Sequence, residues 1–171
     1  QWQFTYRYPS LGDLESNQLI LPANTLVELH VTSLDVVHSF WAVELGVKFT
    51  SDVDGFIGGI RFYKSAGNTG THVGNLWTSG GTLLASATFG GETTSGWQQA
   101  DFATPVAITA GAVYVASYHA PNGRYAADGL FFANGGVDAP PLRLLQDGVS
   151  GGNGVYAYGP GGIFPSGSFK A

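Results

Sequence analysis

Trp77, Trp97, Tyr118 and Tyr125 lie near Asn75, Gln98, His119, Asn122 and Arg124 along the chain. That mixture has the chemistry of sugar recognition. Aromatic rings cover the apolar C–H faces of a pyranose, while amide, imidazole and guanidinium groups make directional hydrogen bonds to its hydroxyls. The loop His119-Ala-Pro-Asn-Gly-Arg124 separates two strand-like runs and suits the end of a β-sandwich. The candidate binding set is therefore Trp97, Tyr118, His119, Asn122, Arg124 and Tyr125, with a polysaccharide or cell-surface glycan as partner. The same residues have a plainer reading. Trp77 and Trp97 are aromatics of the kind a core buries, Tyr118 alternates with Val113 and Val115, and the loop residues also suit turns.

Other constellations are weaker. Asp52-Val-Asp54-Gly55 sets two carboxylates beside a turn, and hard oxygen ligands suit Ca²⁺. The run lacks the third oxygen ligand and distal Glu of an EF-hand loop, and turn-forming Asp is the favoured account of it. Calcium is the one cofactor the composition offers. His72 and His119 are candidate bases, but no Gly-x-Ser-x-Gly elbow accompanies them. Asp101 and Asp128 are carboxylates without a supporting glycosidase signature. The chain is expected not to be an enzyme. Arg61 and Tyr63 share one strand face, with Arg61 expected to find a carboxylate such as Asp101.

Composition bounds the rest. The 171 residues suffice for one domain with a sizeable core. Only 11% are charged, so the polar surface must come from Ser, Thr, Asn, Gln and Gly. The net charge is -5, and the seven basic residues are scattered. No basic stripe exists to neutralise phosphates, which argues against nucleic acid. The absence of Cys excludes disulfides, thiolate metal sites and a cysteine nucleophile. No run of about 18 apolar residues provides a membrane span. The absence of Met and of a visible signal peptide is expected of a processed form or an internal piece.

Strand signals position these residues. Residues 1–8 alternate aromatic and polar side chains, residues 10–17 read as a loop, and residues 18–21 and 25–32 read as further strands. The apolar run 36–49 and the segment 55–64, after an Asp-Gly turn, follow. Later candidates are 74–78, 83–89, 97–102, 113–119, 125–133 and 155–158, with 104–111 as an edge segment opening at Pro105. Residues 139–142 and 148–154 read as loops, and 142–146 as at most one helical turn. The 26 Gly and 8 Pro argue against a helical bundle. The expected fold is an all-β antiparallel sandwich, jelly-roll or immunoglobulin-like, in a single compact domain spanning 1–171.

Two resemblances qualify that reading. Trp2-Gln-Phe-Thr-Tyr-Arg-Tyr-Pro9, Leu19-Ile-Leu-Pro22 and Val31-Thr-Ser-Leu-Asp-Val-Val-His-Ser-Phe-Trp41 resemble the cupredoxin domain of cytochrome c oxidase subunit II. The resemblance implies that His38 matches one ligand of that family's dinuclear copper centre. The centre needs bridging thiolates, and the chain has no Cys and no Met, so His38 is a vestigial ligand and no copper electron transfer is expected. A lone histidine between Val37 and Phe40 also reads as a partly buried residue, and His30 lies eight positions away.

From residue 44 the chain is similar to a bacterial extracellular domain family of unknown function. The similarity rests on Glu44-Leu-Gly-Val-Lys-Phe49, Gly59-Ile-Arg-Phe-Tyr-Lys64, Asn68-Thr-Gly-Thr-His-Val-Gly-Asn-Leu-Trp77, Gly96-Trp-Gln-Gln99 and Tyr114-Val-Ala-Ser-Tyr-His-Ala-Pro-Asn-Gly123. It implies a secreted or cell-surface β-sandwich that occurs beside glycoside hydrolase and immunoglobulin-like modules. Members continue past the Phe164–Phe169 region into one more aromatic strand. The chain therefore reads as a chimera, residues 1–43 supplying strands to a module at 44–171. Residues 25–32 are expected to fill the last strand's place, and self-association through an unpaired edge is the hazard otherwise.

Overall fold

The computed structural model describes residues 6–8, 14–16 and 43–168. The chain divides into two units, Gln1–His38 and Ser39–Ala171. In the first, β1 (Tyr6–Tyr8) pairs antiparallel with β2 (Leu14–Ser16), with Arg7 opposite Glu15. Residues 14–16 thus form a strand where a loop was expected, because pairing with β1 overrides their polar composition. His38, His30 and the strand expected at 25–32 lie outside the described residues.

The second unit is an all-β antiparallel sandwich, and no helix occurs among its described residues. Its strands are β3 (Val43–Ser51), β4 (Gly55–Lys64), β5 (Val73–Thr78), β6 (Leu83–Thr88), β7 (Gly96–Ile108), β8 (Tyr114–Ala120), β9 (Val137–Ala139), β10 (Leu142–Leu144), β11 (Val155–Tyr158) and β12 (Gly167–Ser168). The larger sheet runs β12-β11-β3-β8-β5-β6, and β4 and β7 form a ribbon of their own. Ile60, Phe62, Ala100 and Phe102 from the ribbon pack with Phe49, Leu76 and Tyr114 from the sheet. A smaller cluster of Trp77, Val115 and Val155, with Phe164 against it, occupies the sheet's other face. Period-two alternation sends Leu76 and Trp77 to these opposite faces.

Three local features differ from the sequence reading. The aromatic run 125–133 is not a strand: Arg124 and Leu130 take positive φ values of 54° and 66°, which break an extended ladder. Residues 142–144 are strand, since β10 pairs with both β9 and the end of β3. β7 runs through Pro105. Its pairing with β4 jumps from Val106 opposite Ile57 to Asp101 opposite Gly59. The proline, which has no N–H to give, lies in that interruption.

β3 is flanked on one side by β8 and on the other by β11 at Val43–Gly46 and β10 at Phe49–Ser51. Asn153 closes the gap between them. Its Oδ1 accepts the Lys48 N–H at 2.7 Å, and its Nδ2 donates to the carbonyls of Lys48 and Leu145 at 3.1 and 2.6 Å. One buried amide thus stands in for a strand residue.

Gly59 sets the closeness of the ribbon. A Cβ there would sit 2.4 Å from the Ala100 carbonyl oxygen and 2.9 Å from Asp101 Cα, both backbone atoms. Gly59→Ala is expected to cost about 1–3 kcal/mol through the backbone shift it forces. Urea denaturation checks this, and an unchanged midpoint would show that the ribbon yields freely.

Candidate functional site

The outer face of the β4–β7 ribbon gathers the most exposed aromatic chemistry in the sandwich. Tyr63 is directly opposite Trp97, Arg61 opposite Gln99 and Gly59 opposite Asp101, so alternation puts these side chains on one face. Trp97 is 63% and Tyr63 51% exposed. Their rings meet edge to face at 5.8 Å, and the Arg61 guanidinium lies 5.4 Å over the Trp97 ring. Gln99 Nε2 donates to Asp101 Oδ1 at 2.9 Å. Arg61 therefore stacks on Trp97, and the partner of Asp101 is Gln99. Trp97 is a surface ring, whereas Trp77 is buried and donates from Nε1 to Ser117 Oγ at 2.8 Å.

The other expected ligand residues do not converge. Tyr118 and His119 are successive on β8 and point to opposite faces. Tyr118 stacks on Phe62 at 4.1 Å between the sheets, where burial pushes its hydroxyl up. His119 turns toward Glu44 beneath Gly161. Asn122 donates to the Thr69 carbonyl and Oγ1 at 3.0 and 3.1 Å, and the Arg124 carbonyl accepts from Ser65 Oγ. The loop is thus pinned to the 65–70 turn. Tyr125 is half-buried, with its hydroxyl pushed up by burial and by Tyr158 and Tyr156.

Tyr125 lines a cleft of about 650 Å³ that Trp97, Tyr63 and Arg61 also border. Leu45 and Val47 of β3, Tyr118 of β8, Phe62 of β4 and the 126–132 segment complete it. The cleft draws Trp97, Tyr118 and Tyr125 into one surface and leaves His119, Asn122 and Arg124 outside it.

Asp52 and Asp54 face separate partners. Asp52 Oδ1 accepts Arg143 Nε at 2.6 Å, which holds its carboxyl below the usual range, and Arg143 reaches Asp138 at 2.8 Å. Asp54 Oδ1 accepts the Ala110 N–H at 2.8 Å. Among the described residues, no group of three or more His, Cys, Asp or Glu could hold a metal ion.

Two buried polar arrays escaped the sequence reading. In the first, Lys64 Nζ donates to Glu92 Oε2 at 2.7 Å and His72 Nδ1 lies 2.9 Å from both Glu92 oxygens. His72 Nε2 is 2.9 Å from Asn68 Oδ1, and both His72 and Asn68 are fully buried. Burial pushes the Glu92 carboxyl up, but hydrogen bonds from Lys64 and His72 and their charge outweigh it and hold it low. In the second array, Glu44 Oε1 accepts Asn75 Nδ2 and Ser117 Oγ, each at 2.6 Å. Ser86 Oγ donates to Asn75 Oδ1. Glu44 Oε2 and His119 Nδ1 face each other at 3.7 Å, and neither has a hydrogen-bond partner. Neither array offers an exposed nucleophile.

The chain belongs to the family described as Domain of unknown function (DUF4082), whose model matches residues 32–171. That match starts ahead of the boundary expected at residue 44 and takes in His38. The chain is also 33% identical over 54 residues to the cytochrome c oxidase subunit 2 of Bacillus sp. (strain PS3). The similarity covers 32% of this chain and only 15% of that relative's length. No solved structure matches.

Proposed function

We propose that this member of the DUF4082 family is a non-catalytic carbohydrate-binding module. Its contact face is Tyr63 and Trp97, flanked by Arg61, Gln99 and Asp101. The observation that carries the reading is an exposed Trp97 held between Tyr63 and Arg61 on a paired ribbon. Adjacent exposed rings of this kind make a patch that marks an interaction site. Their apolar faces suit pyranose C–H groups, and the adjacent amide and carboxylate suit hydroxyls. An extracellular or cell-surface setting goes with such a ligand.

Affinity electrophoresis through gels containing soluble plant, bacterial and fungal polysaccharides tests the reading. At least one polysaccharide is expected to retard the protein. Trp97→Ala is expected to weaken that retention by more than about tenfold in Kd, as removal of a central aromatic anchor does. The melting midpoint should hold, because the side chain is mostly exposed. Equal retention of the variant, or no retardation in any gel, would overturn the proposal. The second reading, a spacer with no ligand, draws on Asn122 and the Arg124 carbonyl, whose hydrogen bonds serve the turn.

A further inference from the structure

We infer that the cleft beside the aromatic face accepts an apolar substituent of the bound glycan: an aryl or acyl group carried on the sugar. This rests on the carbohydrate reading above and narrows its ligand class. Trp97, Tyr63 and Arg61 border the cleft as well as forming the outer face, so a sugar stacked on Trp97 places its neighbouring substituent at the opening. At about 650 Å³ the cleft falls within the range of small-molecule sites.

The lining decides what enters. Leu45, Val47, Phe62, Tyr118 and Tyr125 present apolar surface. Among the polar lining residues, Ser117, Asn153 and Asp147 already have partners within the protein, and the Tyr118 hydroxyl, which has none, is buried from solvent. Ser117 Oγ donates to Glu44, Asn153 bridges β3, and Asp147 Oδ1 accepts the Asn153 N–H. A sugar ring inside would lose water from its hydroxyls without finding partners. A flat aryl or acyl group has no hydroxyls to desolvate and gains from burial. Exposed Arg61 and Asp128 remain at the boundary for the polar atoms of a linking ester or glycosidic oxygen.

Isothermal titration calorimetry with p-nitrophenyl and methyl β-glycosides of glucose, galactose and xylose tests the inference. For at least one sugar, the aryl glycoside is expected to bind about tenfold tighter than its methyl counterpart. Ala126→Trp, at an exposed cleft residue, is expected to remove that advantage while the methyl glycoside, which has no group to enter the cleft, binds as before. Val47→Phe provides a second block from the opposite wall. Equal aryl and methyl affinities, or an advantage that survives both variants, would sink the inference. So would free p-nitrophenol binding as tightly as the aryl glycoside. Polysaccharide retention without an aryl advantage defeats the cleft alone, whereas loss of both defeats the carbohydrate reading with it.

Discussion

Glu92→Ala is expected to lower the unfolding free energy by about 3–5 kcal/mol, the cost of removing one partner from a buried charged pair. Glu92 accepts from Lys64 and contacts His72 through the same carboxylate. The side chains of Lys64 and Glu92 are each only 11% exposed, and His72 is fully enclosed. Alanine strands an ammonium and an imidazole where little water reaches. In a domain this size the melting midpoint should fall by roughly 2–4 °C per kcal/mol. Lys64→Met together with Glu92→Leu removes both charges and is expected to recover part of the loss. Acid should reproduce the effect. The Glu92 carboxyl is held below 4.5, so its contribution is present above that pH and lost as the pH falls through the lowered value. A wild-type melting curve flat from pH 6 to pH 2, or a Glu92→Ala midpoint equal to wild type, would refute this account.

The large strands were legible because local pattern and tertiary role agree in them. The expected 55–64 segment is β4 to the residue, and 74–78, 83–89 and 155–158 match β5, β6 and β11 closely. Pattern failed where aromatic content does not mean a ladder. Tyr125, Leu130, Phe131 and Phe132 read as a strand, yet their segment borders a cleft in irregular backbone. Trp97 could have been placed outside from its own strand. It shares parity with Gln99 and Asp101, while Gln98, Ala100 and Phe102 turn inward. The same test separates Tyr118 from His119. The polar arrays had no such signal. His72 meets Glu92 twenty positions away and Glu44 meets Ser117 seventy-three away, so only the packed sandwich reveals them. Asn153 is legible only once β10 and β11 are known to leave a gap on β3.

The second large effect concerns Glu44, which is 1% exposed. Burial raises its carboxyl above 4.5, and the hydrogen bonds from Ser117, Asn75 and the Gly162 backbone only partly offset this. Glu44→Ala is expected to cost about 1–3 kcal/mol for each donor, Asn75 Nδ2 and Ser117 Oγ, that loses its acceptor. Glu44→Gln keeps an acceptor oxygen without the charge, and its effect should change with pH. A carboxyl raised on folding contributes stability that is full below 4.5 and lost as the pH rises through the folded value. Wild type should therefore lose ground to Glu44→Gln between pH 4 and pH 8. His119 acts the other way. Burial and then the charge of His72 lower its value below 6.5, so its contribution is present above 6.5 and lost on acidification. His119 Nδ1 faces Glu44 Oε2 at 3.7 Å, so the difference between their unfolding free energies reports Glu44 together with its coupling to His119. If that difference instead grows in favour of wild type as the pH rises, Glu44 is an anion paired with imidazolium His119, and the neutral-carboxyl account fails.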